Sequence, residues 1–282
     1  MAFAAIQASG CGNVNRALEE LSDARHLSAD LLVQFTRAAD AANRSVMADT
    51  DAASVDFARE AEQAKQAVRK DVDTLRPLLQ RLKFTPEEDL LKQFTDRYAQ
   101  YDALDKTILE LAVENTNLKA QRMSFGPAQA AADAFRDALQ GAAPAAPKDE
   151  WRVKALVAGA ISSVREIQVL QAPHIADPDD SAMSRLEQRM SASEADARSA
   201  LASLTTLVQP ASRARLTAAT SALDQFMALN AQITGLSRRN TNVRSLALSL
   251  NQKRPLTTAC DASLHALQDA LAKRGYKPGR WE

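Results

Sequence analysis

Two stretches of the sequence repeat one another and decide the fold. Residues 108–124 read ILELAVENTNLKAQRMS, and residues 233–249 read ITGLSRRNTNVRSLALS. Aligned at an offset of 125, the isoleucine, a leucine, the Asn-Thr-Asn triplet and the final serine are identical. Self-similarity at a fixed period is typical of a duplicated structural unit. The repeat therefore predicts that the chain consists of two copies of one unit.

Two further pairs of segments support the duplication. Residues 48–51 (ADTD) match residues 176–179 (ADPD), and residues 131–140 (AADAFRDALQ) match residues 259–268 (ACDASLHALQ). All three pairs keep the same order along the chain. Between the copies lies a stretch rich in alanine and proline, typical of a linker. We expect a first unit at 1–141, a linker at 142–149 and a second unit at 150–282.

The composition predicts an all-α protein. Apolar residues make up 46% and aromatic residues 5%, with only 8 glycines and 10 prolines in 282 residues. This composition favours long helices with few connections and argues against a β-sandwich or barrel. Apolar spacing and proline positions predict up-and-down antiparallel bundles, two tandem four-helix units with about eight helices. The expected helices are roughly 4–47, 51–83, 87–123, 127–140, 150–172, 180–208, 211–249 and 256–274.

Charge and cysteine content narrow the class of function. With 35 basic and 35 acidic residues the chain is neutral, and no basic stripe indicates a nucleic-acid or membrane-surface partner. The two cysteines, Cys11 and Cys260, either pack as ordinary side chains or form a single bridge. No apolar run is long enough for a membrane span. The short apolar start at Met1 fits either the stub after a membrane span or the first turn of a helix.

The Asn-Thr-Asn triplets provide the candidate binding site. Asn115 and Asn240 each lie seven residues after an isoleucine, on the core-facing stripe of a helix. Lys119 and Arg244 follow four residues later, above these amides. One interpretation is a ligand pocket in which an amide orients an anion and a cation holds it. The other is that the buried asparagine fixes helix register while the cation reaches solvent.

Neighbouring cations extend this candidate site. Arg122 lies seven residues after Asn115, and Arg238 and Arg239 directly precede Asn240. Glu114 occupies the position that matches Arg239, so the first copy is less cationic. We expect an anion to prefer the second copy, although a solvated helix face also explains these arginines. In the ligand-site interpretation, Asn240→Ala combined with Arg244→Ala abolishes ligand binding and leaves the fold intact.

The sequence gives little indication of a catalytic or metal-binding site. His174 lies near Asp177, Asp179 and Asp180, which could ligate a metal, but an aspartate before a helix is more often an N-cap. The sequence contains no phosphate-binding glycine loop, no GxSxG and no HExxH. We therefore expect no enzymatic activity, no metal and no cofactor.

The helix that carries the first triplet resembles a known family. The segments 108–120 (ILELAVENTNLKA), 124–128 (SFGPA) and 41–51 (AANRSVMADTD) resemble four-helix-bundle sensor domains of bacterial methyl-accepting chemotaxis receptors. The resemblance implies a periplasmic region between two membrane spans of an inner-membrane protein. Such a region binds a small molecule or a periplasmic binding protein, relays a helix displacement and dimerises. Two units instead of one imply a bimodular sensor.

Two other functions remain open at this stage. A neutral helical chain without catalytic motifs also fits a non-enzymatic scaffold or dimerisation module. The arginines at 238–244 fit a sensor of a small inorganic anion such as nitrate, as in all-helical nitrate-sensing domains. Flanking apolar spans would favour a sensor over a scaffold, and a ligand that raises the melting temperature would favour direct sensing.

Overall fold

The computed structural model describes residues 10–144 and 146–274, with side chains from residue 15 onward. Nearly all of this chain is helical, and its one extended pairing within the described residues is an isolated bridge between Pro144 and Val208. This confirms the all-α prediction. No helix in the described ranges is both long and apolar enough to cross a membrane. The α-helices are α1 (Gly10–Val46), α2 (Asp51–Leu82), α3 (Thr85–Glu114), α4 (Thr116–Met123), α5 (Gln129–Gln140), α6 (Glu150–Ala176), α7 (Asp180–Leu207), α8 (Arg213–Arg239), α9 (Thr241–Leu248) and α10 (Arg254–Lys273).

These elements form six long helices in the described chain, so the predicted count of eight was wrong. Helices α3, α4 and α5 join into one long helical rod at 85–140, and α8, α9 and α10 join into another at 213–273. We call them the third and the sixth rod. The predicted breaks at Pro127 and Pro255 are bridged by π-helical turns at Ser124–Ala128 and Ser249–Lys253. A π turn widens the helix locally and accommodates a residue that lacks its N–H.

Other helix ends follow their local chemistry. The side chain of Thr50 accepts from the backbone N–H of Ala53 and caps α2. At the far end of α2, Lys83 adopts the left-handed conformation that closes many helices. Pro77 lies inside α2, which continues to Leu82. Helix α6 likewise runs four residues beyond its predicted end, past Pro173.

The described chain divides into two compact units whose boundaries differ from those predicted. Unit 1 contains residues 1–113 and 245–282, and unit 2 contains residues 114–244. The predicted linker at 142–149 lies within unit 2, where the backbone N–H of Gln209 donates to the carbonyl of Ala143. Unit 1 thus combines α1, α2 and α3 with α10, while unit 2 combines α6, α7 and α8 with α5. Each unit takes three helices from one sequence copy and its fourth from the other.

The two units have different cores. In unit 1, Phe35 from α1 packs edge-on against Phe94, Tyr98 and Tyr101 from α3, with ring centroids 5.2–6.2 Å apart. Aliphatic residues from α2 and α10 complete this cluster. In unit 2 the core consists mostly of alanine, leucine and valine side chains, which allow α5, α6, α7 and α8 to approach closely. Apolar burial of this kind is the main favourable contribution to folding.

Cys260 is a free cysteine in the core of unit 1. Burial raises the pKa of its thiol to about 12, and the nearby Arg97 offsets only part of this effect. A thiol that stays protonated is a poor nucleophile. The side chain of Cys11, the other half of the bridge considered from sequence, lies outside the described residues.

A salt bridge between Glu87 and Arg274 makes unit 1 sensitive to acid. Nε and Nη2 of Arg274 donate to the two carboxylate oxygens of buried Glu87, both at 2.8 Å. The hydrogen bonds from Arg274 outweigh burial and lower the pKa of Glu87 below its ordinary value of 4.5. The folded state therefore binds this proton less readily than the unfolded state does. The stability that the pair contributes is present above pH 4.5 and is lost as pH falls through the lower, folded-state pKa.

We predict that Glu87→Gln reduces the acid sensitivity of the protein. The free energy of unfolding in urea should fall less between pH 7 and about pH 3 in the variant than in the unchanged chain. Asp89→Asn, which removes an exposed carboxylate two residues away, is the control and should retain the original pH dependence. Equal pH slopes for Glu87→Gln and the unchanged chain would contradict this assignment.

Candidate functional site

The Asn-Thr-Asn triplets interrupt both rods at their first residue. Asn115 has φ 51° and ψ 40°, and Asn240 has φ 52° and ψ 38°. These are left-handed conformations, which asparagine tolerates better than most residues because its short amide can hydrogen-bond locally. The predicted continuous helices at 87–123 and 211–249 were therefore wrong at these two positions. Both asparagines are buried, as the core-facing stripe predicted.

The two triplets bind each other through reciprocal hydrogen bonds, and we call residues 115–117 and 240–242 the clasp. The backbone N–H of Thr116 donates to Oγ1 of Thr241, and the N–H of Thr241 donates to Oγ1 of Thr116, both at 3.1 Å. The N–H groups of Asn117 and Asn242 donate to each other's Oδ1, also at 3.1 Å. These are the first N–H groups of α4 and α9, which have no partner within their own helix. Each rod therefore provides the N-terminal cap of the other.

Side-chain amides complete the clasp. Nδ2 of Asn117 donates to Oδ1 of Asn240, and Nδ2 of Asn242 donates to Oδ1 of Asn115, both at 2.8 Å. Nδ2 of Asn240 donates to the carbonyl of Asp177 at 2.9 Å. Nδ2 of Asn115 is buried, and within the described residues it has no hydrogen-bond partner. The geometry thus fits the register interpretation, because protein atoms bind most of the amide groups that a ligand would need.

Most cations beside the clasp also have protein partners. Arg239 forms an ion pair with Glu114, and Nζ of Lys119 donates to the carbonyl of Glu114 at 2.7 Å. Arg238 donates from Nε and Nη2 to the two carboxylate oxygens of Glu187, both at 2.8 Å. The pair with Arg238 lowers the pKa of Glu187 below its ordinary value, against the opposing effect of burial. Two of the arginines that favoured a nitrate sensor, Arg238 and Arg239, are therefore balanced by carboxylates.

Two of the predicted ligand residues point outward. Arg244 is exposed, and Nε of exposed Arg122 makes a long contact of 3.4 Å with the carbonyl of Leu118. The structure thus brings all six predicted residues to the region of the clasp in unit 2. It places the asparagines in its interior and the cations around its edge. A ligand-binding role for Asn115, Lys119, Arg122, Arg239, Asn240 and Arg244 stays a prediction.

His174 lies in the interior of unit 2, and both of its ring nitrogens have partners outside the aspartate-rich turn that follows it. Its Nε2 is 2.8 Å from Oε1 of Glu187, and its Nδ1 is 2.8 Å from Oγ of Ser237. The carboxylate of Asp179 accepts from the backbone N–H of Ser181 at the start of α7. The cap interpretation of this aspartate is therefore confirmed.

Sequence analysis missed a cluster of buried charges in unit 1. Nζ of Lys65 lies 2.9 Å from Asp102, 3.1 Å from Glu62 and 3.3 Å from Asp105. Nζ of Lys253 donates to the other oxygen of Asp105 at 3.1 Å. We call Lys65, Asp105 and Lys253 the charged triad. A signal was present, since Asp105 follows Tyr101 by four residues and precedes Ile108 by three on the apolar stripe.

The two lysines of the triad respond differently to burial. Burial alone would lower the pKa of Lys65, but Asp105, Asp102 and Glu62 more than compensate and raise it above its ordinary value. Burial does lower the pKa of Lys253, because Asp105 offsets it only in part and the charge of Lys65 adds to the effect. Within this cluster, the neighbouring carboxylates therefore compensate the charge of Lys253 less completely than that of Lys65.

Unit 2 has no triad at the matching positions. At an offset of 125, Asn230 matches Asp105, Met190 matches Lys65, and Ala128 matches Lys253. The contacts are also equivalent, since Nδ2 of Asn230 lies 3.6 Å from Sδ of Met190. All three of these residues are buried. The duplicated position is thus charged in unit 1 and neutral in unit 2.

Comparisons of the chain with protein-family models, with curated proteins and with solved structures found no match in any of the three. The fold and the clasp define an all-helical bundle protein with a duplicated sequence. What such a protein does must be argued from its own residues.

Proposed function

We propose that this chain is the extracytoplasmic, ligand-sensing region of a transmembrane receptor of the chemoreceptor type. In this proposal it binds a small anionic molecule or a periplasmic binding protein, as a homodimer held in the inner membrane by flanking spans. A helix displacement then carries the signal across the membrane. The resemblance of residues 41–51 and 108–128 supports this function, and so do the long antiparallel helices.

The observation that carries the proposal is the clasp. Its reciprocal bonds join the third and the sixth rod at the one place where each is interrupted within the described residues. A displacement of one rod must either move the other or break buried hydrogen bonds, each worth about 0.5–1.5 kcal/mol net. Closely coupled rods are what a sensor needs to turn ligand binding at one helix into movement of another.

A thermal-shift screen of the purified chain tests direct sensing. The panel contains organic acids, amino acids, aromatic acids and nitrate, each over a range of concentrations. A ligand at 100 times its dissociation constant should stabilise the folded state by about 2.7 kcal/mol, which raises the melting temperature measurably. If no compound raises it, direct sensing is wrong, and the scaffold or a binding-protein partner becomes the better explanation.

The predicted ligand residues can be tested without disturbing the clasp. Arg244→Ala removes an exposed guanidinium next to the clasp, whereas Arg213→Ala removes an exposed guanidinium at the start of α8. If a ligand found in the screen binds at the clasp, Arg244→Ala should reduce the thermal shift and Arg213→Ala should leave it unchanged. Equal shifts in both variants would move the binding site away from the clasp.

A further inference from the structure

A cavity of about 310 Å³ lies in unit 1 beside the π-helical turn Ser249–Lys253. The end of α1 and the start of α10 form its other walls. A volume of this size is at the lower end of the range for small-molecule sites in proteins. π-Helical turns within long helices also occur frequently at functional positions. The cavity therefore has the dimensions and the backbone setting of a small-ligand site.

Two cations line this cavity. Arg254 is exposed, and among the described residues no protein group pairs with its guanidinium. Lys253 is buried, and its Nζ shares the single carboxylate of Asp105 with Lys65. Because burial lowers the pKa of Lys253, its charge would be stabilised by a second negative group nearby. A guanidinium and an ammonium on neighbouring residues favour an anionic ligand, since charge-assisted hydrogen bonds are the strong ones.

The rest of the lining is largely apolar. Met47 is 71% exposed, Leu250 is 55% exposed and Leu246 is 38% exposed, and all three side chains line the cavity. An apolar ligand group packed against these side chains would remove their surface from water. This burial favours binding by roughly 25 cal/mol per Å² of apolar surface covered. The cavity thus offers a cationic end together with apolar walls.

The π turn of unit 2 provides an internal comparison. The positions that match Lys253 and Arg254 at an offset of 125 are Ala128 and Gln129. Both cations are thus absent at the matching turn Ser124–Ala128. The cations are therefore present at one turn of the pair and are not needed to form a π turn in this fold.

We propose that the cavity beside Lys253 and Arg254 binds a small organic carboxylate with an apolar body. Arg254 holds the carboxylate, the buried charge of Lys253 adds positive potential at this end of the cavity, and Met47, Leu246 and Leu250 cover the apolar part. The matching turn of unit 2 does not bind this class of ligand. This inference rests on the proposed sensing function, which it refines by naming a site and a chemical class.

Isothermal titration calorimetry of the full chain tests the site. The ligands are benzoate and 3-phenylpropionate, with benzamide as the neutral analogue of similar shape. We expect saturable binding of a carboxylate and at least tenfold weaker binding of benzamide. Arg254→Ala should weaken carboxylate binding by about tenfold, the loss expected for one charge-assisted hydrogen bond. Arg213→Ala is the matched control in unit 2 and should bind as the unchanged chain does.

The outcomes separate this inference from the sensing function. Carboxylate binding that Arg254→Ala leaves unchanged, or benzamide binding of equal strength, overturns the site. If carboxylates do not bind while another compound class raises the melting temperature, the inference is wrong and sensing stands. If no compound of any class binds, this inference and direct sensing are both wrong. Because Arg254 is on the surface, its variant should retain the circular-dichroism signal and urea midpoint of the unchanged chain.

Discussion

Asp105→Ala is expected to lower the free energy of unfolding by about 3–5 kcal/mol. Asp105 is fully buried and balances two buried ammonium groups, those of Lys65 and Lys253. Its removal leaves Lys253 without its carboxylate partner, while Lys65 retains Asp102 and Glu62. Uncompensated charge in a protein interior is among the most destabilising changes known. Urea unfolding at neutral pH, followed by circular dichroism, measures the loss.

Unit 2 supplies the control for this experiment. The triple variant Asp105→Asn, Lys65→Met, Lys253→Ala gives unit 1 the residues found at the matching positions of unit 2. We expect it to recover most of the stability lost in Asp105→Ala, because no buried charge is left unpaired. If the triple variant is no more stable than Asp105→Ala, the destabilisation arises from packing and the charge argument is wrong.

Asn240→Ala is expected to lower the free energy of unfolding by about 2–4 kcal/mol. Alanine in the left-handed conformation costs about 1–2 kcal/mol, because its Cβ approaches the following carbonyl oxygen. The change also removes the acceptor of Asn117 Nδ2 and the bond to the carbonyl of Asp177, worth about 1 kcal/mol each. Chemical unfolding and thermal melts of the full chain measure the effect.

Asn240→Gly separates the two contributions. Glycine adopts the left-handed conformation without steric cost, so this variant loses only the side-chain hydrogen bonds. It should therefore be about 1–2 kcal/mol more stable than Asn240→Ala. Equal stabilities of the alanine and glycine variants would show that the backbone break contributes nothing. The same comparison at Asn115 should give the same order.

The sequence predicted the helical class, the duplication and the burial of both asparagines. The helical class and the buried asparagines follow from composition and from periodicity within one helix, which determines which face of that helix is apolar. The duplication follows from the repeated segments. Sequence could not reveal that Asn115 and Asn240 break their helices, because an asparagine on an apolar stripe is compatible with either conformation. Nor could it reveal that each triplet caps the other, since the two triplets lie 125 residues apart and local sequence patterns indicate only caps from neighbouring residues.

The number of helices and the assignment of helices to units could not be predicted from the sequence, for related reasons. Gly126-Pro127 is a helix breaker in isolation, yet the π turn at Ser124–Ala128 accommodates it within a continuous rod. Likewise, α5 and α10 have similar sequences in the two copies. The hydrophobic pattern alone therefore does not determine which unit each of them packs in. Packing between specific residues, such as Arg97 of α3 with Ser263 of α10, selects the observed arrangement.

The composition of the units also sets the order in which the chain can fold as it leaves the ribosome. Unit 2 is a continuous segment, 114–244, so all of its helices are available once Arg244 has emerged. Unit 1 begins before unit 2 along the chain, but its fourth helix, α10, follows unit 2. During synthesis the apolar face of α1, α2 and α3 that packs against α10 therefore stays exposed to water until unit 2 has been made. Transiently exposed apolar surface of this kind is prone to aggregation, so α1, α2 and α3 precede unit 2 in the chain but complete their bundle after it.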